Sequence, residues 1–226
     1  AETFDWLASG EELTFTYTIL VSDGFGGTGT STVTVTIVGS NDTVVLTNGV
    51  VTGAITEGSG SLSLSGSVAF LDADFSNIVN AVIVNDSIAW NGGGLSTAQQ
   101  TALYAAFSVT PATSSSNSGT INWTYAPTET LLDFLAASQT LTIKYYIKVT
   151  DSFGAVVTTL VTLSVTGTND VPTITVGSGN SVAASLTETS AALSATGTLL
   201  ITDVDQTNTV TPSIFSVVKS GITAGI

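Results

Sequence analysis

The chain has 226 residues, 17 acidic side chains against three lysines (Lys144, Lys148 and Lys219), and a net charge of −14. That balance excludes binding to nucleic acid or to an anionic membrane by charge. It also leaves most carboxylates with no basic partner anywhere in the chain, so any that cluster need a bound cation as compensation.

Hydrophobic residues make up 43% and charged ones only 9%. Thr and Val dominate the remainder of the pattern, and both prefer strands, so the composition points to an all-β fold. Cys, His and Arg are absent. Without His or Cys the common acid–base and nucleophilic devices are missing, and an enzyme is not expected. No apolar run reaches the length of a membrane span, so no membrane insertion is expected of this segment. No secretory leader opens the chain, and Ala1 starts in mid-pattern, as a piece of a longer protein would.

Apolar and polar residues alternate from Leu13 to Val21 and again from Ser31 to Ile37. That is the period of half-buried strands. The segment between them, Ser22-Asp-Gly-Phe-Gly-Gly27, is a turn by composition, so residues 13–37 read as a hairpin. Further strands are predicted at 61–71, 79–85, 105–110 and 119–126. Between two of them, residues 96–107 place Leu103, Ala106 and Phe107 at helical spacing, with Ser96 as N-cap. This reads as a short helix in a strand-to-strand crossover that plugs one edge. Residues 141–166 repeat the hairpin around Asp151-Ser-Phe-Gly154. About seven short strands with regular turns predict an immunoglobulin- or cadherin-like Greek-key β-sandwich.

The repetition extends well beyond one hairpin. Residues 1–42 align without a gap to 129–170 at an offset of 128, with 17 identities that include Asp5/Asp133, Tyr17/Tyr145, Asp23/Asp151, Asn41/Asn169 and Asp42/Asp170. At an offset of 131, Thr56-Glu57 pairs with Thr187-Glu188, and Asp72-Ala-Asp74 with Asp203-Val-Asp205. The chain therefore divides into the C-terminal part of a preceding repeat (1–42), one complete repeat (43–170) and the N-terminal part of a following repeat (171–226).

Of the 11 Asp residues, eight fall at repeated turn or linker positions: 23, 42, 72, 74, 151, 170, 203 and 205. In a seven-strand sandwich, Asp72 and Asp74 follow one strand that rises to the N-terminal end, and Asp151 follows another. The linker Asn41-Asp42 enters at that same end. These five oxygen-bearing side chains converge, and hard oxygen donors in such numbers suit Ca²⁺. At the opposite end, Glu57 and Asp133 are expected beside the next linker, Asn169-Asp170, with Asp203 and Asp205 across it. Bound Ca²⁺ then stiffens a junction that is otherwise a hinge.

The run Asp5-Trp-Leu-Ala-x-Gly-Glu-x-Leu-Thr-x-x-Tyr17, continued through Val21-x-Asp-Gly-x-Gly-Gly27 to Val33-Thr-Val-Thr-Ile-x-Gly-x-Asn-Asp42, resembles the VCBS-type repeat. Such repeats form the extender arrays of large bacterial RTX adhesins. The resemblance spans the chain and is strongest over 1–42. It implies a cadherin-like fold, Ca²⁺ at the junctions between neighbouring repeats, a location on the bacterial cell surface, and a role in adhesion and biofilm formation. The motif positions it carries over are Asp23, Asn41, Asp42, Glu57, Asp72, Asp74, Asp151, Asn169, Asp170, Glu188, Asp203 and Asp205. The central copy departs from the pattern at Phe134, Ser138, Gln139, Ser152 and Ala155. Val44 stands where the second linker has Pro172.

The leading expectation is a stiff spacer that projects a ligand-binding region. The alternative is a module that itself binds a glycan or protein, which would need an exposed aromatic patch drawn from Trp6, Trp90 and Trp123. Residues 1–42 and 171–226 carry complementary parts of one repeat, so head-to-tail self-association through these split ends is a further expectation.

Overall fold

The computed structural model describes residues 4–49, 51–58, 60, 62–177 and 182–221. Two 11-residue strands, β1 (Glu12–Ser22) and β2 (Thr28–Val38), pair antiparallel from Glu12↔Val38 to Ser22↔Thr28. Asp23 closes the turn between them: its Oδ1 accepts the N–H groups of Phe25 (2.8 Å) and Gly27 (2.9 Å). Gly24 and Gly26 both take positive φ, which only glycine adopts without strain.

The middle of the chain then builds two facing sheets. In chain order the elements are β3 (Val45–Gly49), β4 (Thr52–Thr56), β5 (Leu64–Leu71), β6 (Val79–Trp90), helix α1 (Thr97–Ala105), β7 (Phe107–Thr110), β8 (Thr113–Ser114), β9 (Ser118–Tyr125), a 3₁₀ turn (Glu129–Leu131), β10 (Thr140–Thr150) and β11 (Val156–Thr166). One sheet has the order β4-β11-β10-β6-β8 and the other β3-β5-β9-β7. The chain crosses from one sheet to the other at every connection from β3 to β10, and β10 and β11 follow each other in one sheet, which makes an immunoglobulin- and cadherin-like Greek-key β-sandwich. A last antiparallel pair, β12 (Thr173–Thr175) with β13 (Leu200–Thr202), lies beyond it.

Strict alternation fills the core. Along β10, Leu141, Ile143, Tyr145, Ile147 and Val149 are fully buried, and β11 adds Val161, Leu163 and Val165. From the other sheet Val68, Phe70, Ile121, Trp123 and Tyr125 face them. Each such side chain contributes roughly 1.5–3 kcal/mol by leaving water. A stacked aromatic column crosses between the sheets: Trp123 on Phe107 at 5.8 Å between centroids, and Phe107 on Tyr145 at 4.1 Å. The Tyr145 hydroxyl donates to the carbonyl of Leu103 at 3.1 Å, which ties helix α1 to the core.

Several boundaries differ from the sequence reading. The strand expected from 61 begins at Leu64, and the one expected from 105 begins at Phe107, because α1 runs to Ala105. The helix holds its start through a capping box between Ser96 and Gln99. The strand expected to end at 85 continues to Trp90, with a register shift opposite Lys144/Tyr145 that absorbs one extra residue. Nine strands form the sandwich because the first is split into β3 and β4, one in each sheet, and the short β8 adds an edge.

Candidate metal centre

Strand direction decides which carboxylates meet. Asp72 follows β5 and Asp151 follows β10, whereas Glu57 precedes β5 and Asp133 precedes β10. The two sets therefore occupy opposite ends of the sandwich, each where a flanking segment joins it.

At the first joint, the linker lays its backbone on the Asp-x-Asp turn. The N–H of Asp42 donates to Asp74 Oδ2 (2.8 Å), and Asn41 Nδ2 donates to Asp151 Oδ2 (3.1 Å). The turn is tightened by the N–H of Asp74 on Asp72 Oδ1 (3.1 Å). Asn77, fully buried, donates its amide to both Asp72 Oδ2 (2.9 Å) and Asp74 Oδ2 (3.0 Å), and accepts from the Ser152 hydroxyl (2.8 Å). Apolar contact completes the joint: Trp6 stacks on Phe75 at 6.0 Å, and the N–H of Phe75 donates to the Trp6 carbonyl.

The second joint repeats this geometry with different residues. The N–H of Asp170 donates to Asp205 Oδ2 (3.1 Å), the N–H of Asp205 to Asp203 Oδ1 (3.1 Å), and Asn208 Nδ2 to Asp205 Oδ2 (2.6 Å). The N–H of Gln206 donates to the Phe134 carbonyl, as Phe75 does to Trp6. Here side chains from the end of the sandwich before the linker take part as well. Glu57 Oε2 accepts the N–H of Thr168 (2.9 Å), and carboxylate oxygens of Glu57, Asp133 and Asp170 lie within 4.8 Å of one another. Asn169 turns its amide onto the Asp170 carbonyl (2.7 Å) and receives Asn208 Nδ2 on its Oδ1 (3.4 Å). Glu129 Oε2 holds the N–H of Gly58 (3.1 Å) at the rim.

These clusters are electrostatically unfinished. Buried oxygens without any hydrogen-bond partner include Asn41 Oδ1 and Asp74 Oδ1 at the first joint, and Glu57 Oε1, Asp170 Oδ2 and Asp205 Oδ1 at the second. Glu57 is 4% exposed, Asp74 0% and Asp205 2%. Among the described residues no lysine forms an ion pair with any of them. Burial, with Asp170, Asp133 and Asp205 beside it, pushes the Glu57 carboxyl up to about 7. Burial and neighbouring carboxylates likewise raise Asp74, Asp133 and Asp205 above the ordinary carboxylate range. An orphaned carboxylate oxygen in a dry site is costly unless a cation meets it. The donors are all carboxylate or amide oxygens, which suits Ca²⁺ and is a poor match for the softer transition metals.

Two of the expected ligands stand apart. Asp23 is exposed and closes its own turn, and Glu188 is exposed in a segment without regular structure. The groups that their counterparts Asp151 and Glu57 meet are not beside them. Asn77 and Asn208 were missed by the sequence reading, although they pair at the same offset of 131 and extend each turn to Asp-x-Asp-x-x-Asn. Glu129 has Ala1 as its counterpart, so the repeat gave no signal for it.

The tryptophans do not make an exposed patch. Trp123 is in the core at 1% exposure. Trp90 packs edge-on against Phe134 at 5.0 Å and donates Nε1 to Gln139 Oε1 at 3.1 Å. Trp6 is half-buried at the first joint.

No family model and no curated protein matches the sequence. Among solved structures, the chain is similar to a PapD-like domain of human CEP192 (12% identity, 56% of this chain and 86% of that one, TM-score 0.34). It is also similar to the SrpA adhesin of Streptococcus sanguinis (12% identity, 56% and 58%, TM-score 0.32) and to the protocadherin GammaB4 extracellular domain (13% identity, 73% and 23%, TM-score 0.33).

Proposed function

We propose that the chain is a stretch of calcium-stabilised extender repeats from a bacterial cell-surface adhesin, with 43–170 a complete repeat between parts of its neighbours. The ions would stiffen the array so that it projects a ligand-binding region for adhesion and biofilm formation. The observation that carries this is the recurrence of one joint twice, each with buried, unpartnered oxygens facing the linker. At the first joint Asn41, Asp42, Asp72, Asp74 and Asp151 would hold Ca²⁺. At the second the ligands would be Glu57, Asp133, Asn169, Asp170, Asp203 and Asp205. The ion supplies positive charge that ties linker to sandwich; the chain supplies the oxygens and, through Asn77 and Asn208, the shape of each turn. The surface location and the adhesin context rest on the VCBS-type resemblance. Carboxylates placed at repeated joints, with no His or Cys in the chain, support a structural role and not a catalytic one. Thermal unfolding in EDTA, then with Ca²⁺ or Mg²⁺ restored, tests the reading. A Ca²⁺-selective rise in Tm, with a smaller radius spread in solution scattering, is the expected result; identical curves would overturn it.

A second reading, a glycan- or protein-binding module, is favoured by one face. Lys144, Tyr146 and Lys148 alternate outward along β10, with exposed Val82, Val84 and Leu160 on its neighbours. Two of the chain's three cations flank an aromatic ring there. No binding by the parent chain on a glycan array, or binding that Tyr146→Ala leaves unchanged, would remove this face as a binding site.

A further inference from the structure

One sheet of the sandwich has a charge opposite in sign to the chain as a whole. Strands β4, β11, β10, β6 and β8 carry two lysines, Lys144 and Lys148, against one acidic residue, Asp86, a net +1 within a chain of −14. Both lysines lie on β10, the middle strand, where they alternate with the fully buried Ile143, Tyr145, Ile147 and Val149. They therefore point away from the core, one on each side of Tyr146. Among the described residues neither lysine has an ion pair, and Asp86 accepts the Ser87 hydroxyl at 3.2 Å.

The fold does not require these side chains. The inward residues of β10 recur in β1 at the offset of 128, Leu141 as Leu13, Tyr145 as Tyr17 and Ile147 as Ile19. The outward ones do not. Lys144, Tyr146 and Leu160 have Thr16, Thr18 and Thr32 as counterparts, and Lys148 has Leu20. A neutral, Thr-rich face satisfies the strand in one copy; the other copy sets two charges and a ring on it. Cross-strand neighbours widen that ring into a shelf. Tyr146 stands opposite Leu160 on β11 and Val84 on β6, which are 36% and 42% exposed. At about 3.4 Å per residue, the Cα of each lysine is about 7 Å from that of Tyr146 along the strand.

We propose that this face binds an acidic polysaccharide, a polymer of uronic acid or sulfated sugar units, with a pyranose ring on Tyr146 and anionic groups on Lys144 and Lys148. This rests on the second reading above and names its ligand. Charge complementarity carries it: two unpaired ammonium groups flank one ring, in a chain that is otherwise acidic. The carboxylates of the joints lie beyond the strand ends, and 0.1 M salt screens them over about 10 Å. The Tyr146 ring with Val84 and Leu160 offers the flat apolar surface that the C–H face of a sugar covers, while the flexible lysine stems follow anions at either end. An extended peptide finds no purchase here, because β10 is hydrogen-bonded to β6 on one side and β11 on the other and has no backbone groups free to add a strand.

Titration calorimetry of the full chain at low salt in EDTA tests this, with polygalacturonate and dextran sulfate as ligands and methyl-esterified polygalacturonate and dextran as their uncharged forms. The acidic polymers should bind, more weakly as salt rises, and the uncharged ones should not. Lys144→Thr and Tyr146→Thr install the residues that β1 carries at those positions, and Lys148→Gln completes the set. Each lysine variant should weaken binding about two- to fivefold and Tyr146→Thr roughly tenfold, with the circular dichroism unchanged. Equal binding of the uncharged polymers would overturn the acidic ligand and leave the second reading standing, as would a protein whose binding Tyr146→Thr abolishes. Binding that appears only with Ca²⁺ and ignores the three variants would place the polymer on the joints and overturn the proposal. Capture by vesicles of anionic phospholipid in place of the polymers would overturn it too. No binding of either acidic polymer ends the proposal; no ligand of any class that responds to Tyr146→Thr ends the second reading with it.

Discussion

The backbone N–H of Asp42 meets Oδ2 of Asp74 at 2.8 Å, while Oδ1 of the same carboxylate is buried with no partner. One oxygen seats the linker; under the calcium reading the other is free to meet the ion. Asp170 and Asp205 stand in the same relation at 3.1 Å, again with Oδ1 of the second Asp unpartnered.

Asp74→Asn should therefore change sign with conditions. In EDTA it removes a buried charge held among Asp72 and Asp42, and the variant should unfold at an equal or higher temperature than the parent. In saturating Ca²⁺ it should unfold at a lower one. Calcium at a hundred times its dissociation constant stabilises by about 2.7 kcal/mol per site, and that increment at the first joint should be largely lost. Calorimetry of both proteins under both conditions measures the crossing.

The pH dependence follows from Glu57. Its folded-state carboxyl holds its proton up to about 7, against 4.5 for an unperturbed one. The folded state therefore binds more protons than the unfolded state between those values, and stability falls as pH rises through that window. Urea midpoints in EDTA should drop from about pH 4.5 to about pH 7. With Ca²⁺ present the carboxylate is the useful form, and the slope should flatten or reverse. Glu57→Gln should abolish the dependence attributed to this group.

How far the sequence carried this site depends on what the repeat could register. Asp72, Asp74, Asp203 and Asp205 were visible because two copies of a turn appear in one chain. Asn77 and Asn208 lie in the same alignment, three residues beyond the second Asp, and were reachable by continuing it. Glu129 was not, because its counterpart is Ala1 and chemistry that occurs once leaves no periodic trace. The alternation of β10 and β11 made the sandwich legible. The extension of β6 to Trp90 was not, because a bulge opposite Lys144/Tyr145 interrupts the period of two. Nor could spacing show that Phe107, just after a helix, would stack on Tyr145 from 38 positions along the chain.

That aromatic column ties the two sheets together. Tyr145→Ala empties a fully buried site and should cost about 3–5 kcal/mol. Tyr145→Phe removes only the hydroxyl donated to Leu103 and should cost about 1 kcal/mol. Urea unfolding in excess Ca²⁺, where the joints are saturated, separates the two.

Gly167 closes against the Leu135 carbonyl, where an added Cβ would collide with backbone, as Gly39 closes against Ala8. Gly167→Ala should push Asp170 away from Glu57 and Asp133. Weaker Ca²⁺ binding by titration calorimetry, with Gly39→Ala affecting the first joint alone, is the expected outcome.

The parallel pairing of β4 with β11, from Thr52↔Thr162 to Thr56↔Thr166, joins a strand near the entry of the sandwich to the strand at its exit. A pull on the two ends of residues 43–170 drives these strands past each other along their length. Their rungs are then loaded together in shear, whereas an antiparallel hairpin pulled from its open end gives way one rung at a time. Tension from the side of residue 43 first loads the β3–β5 ladder; once that has parted, the five residues on each strand of the β4–β11 ladder should carry it in shear.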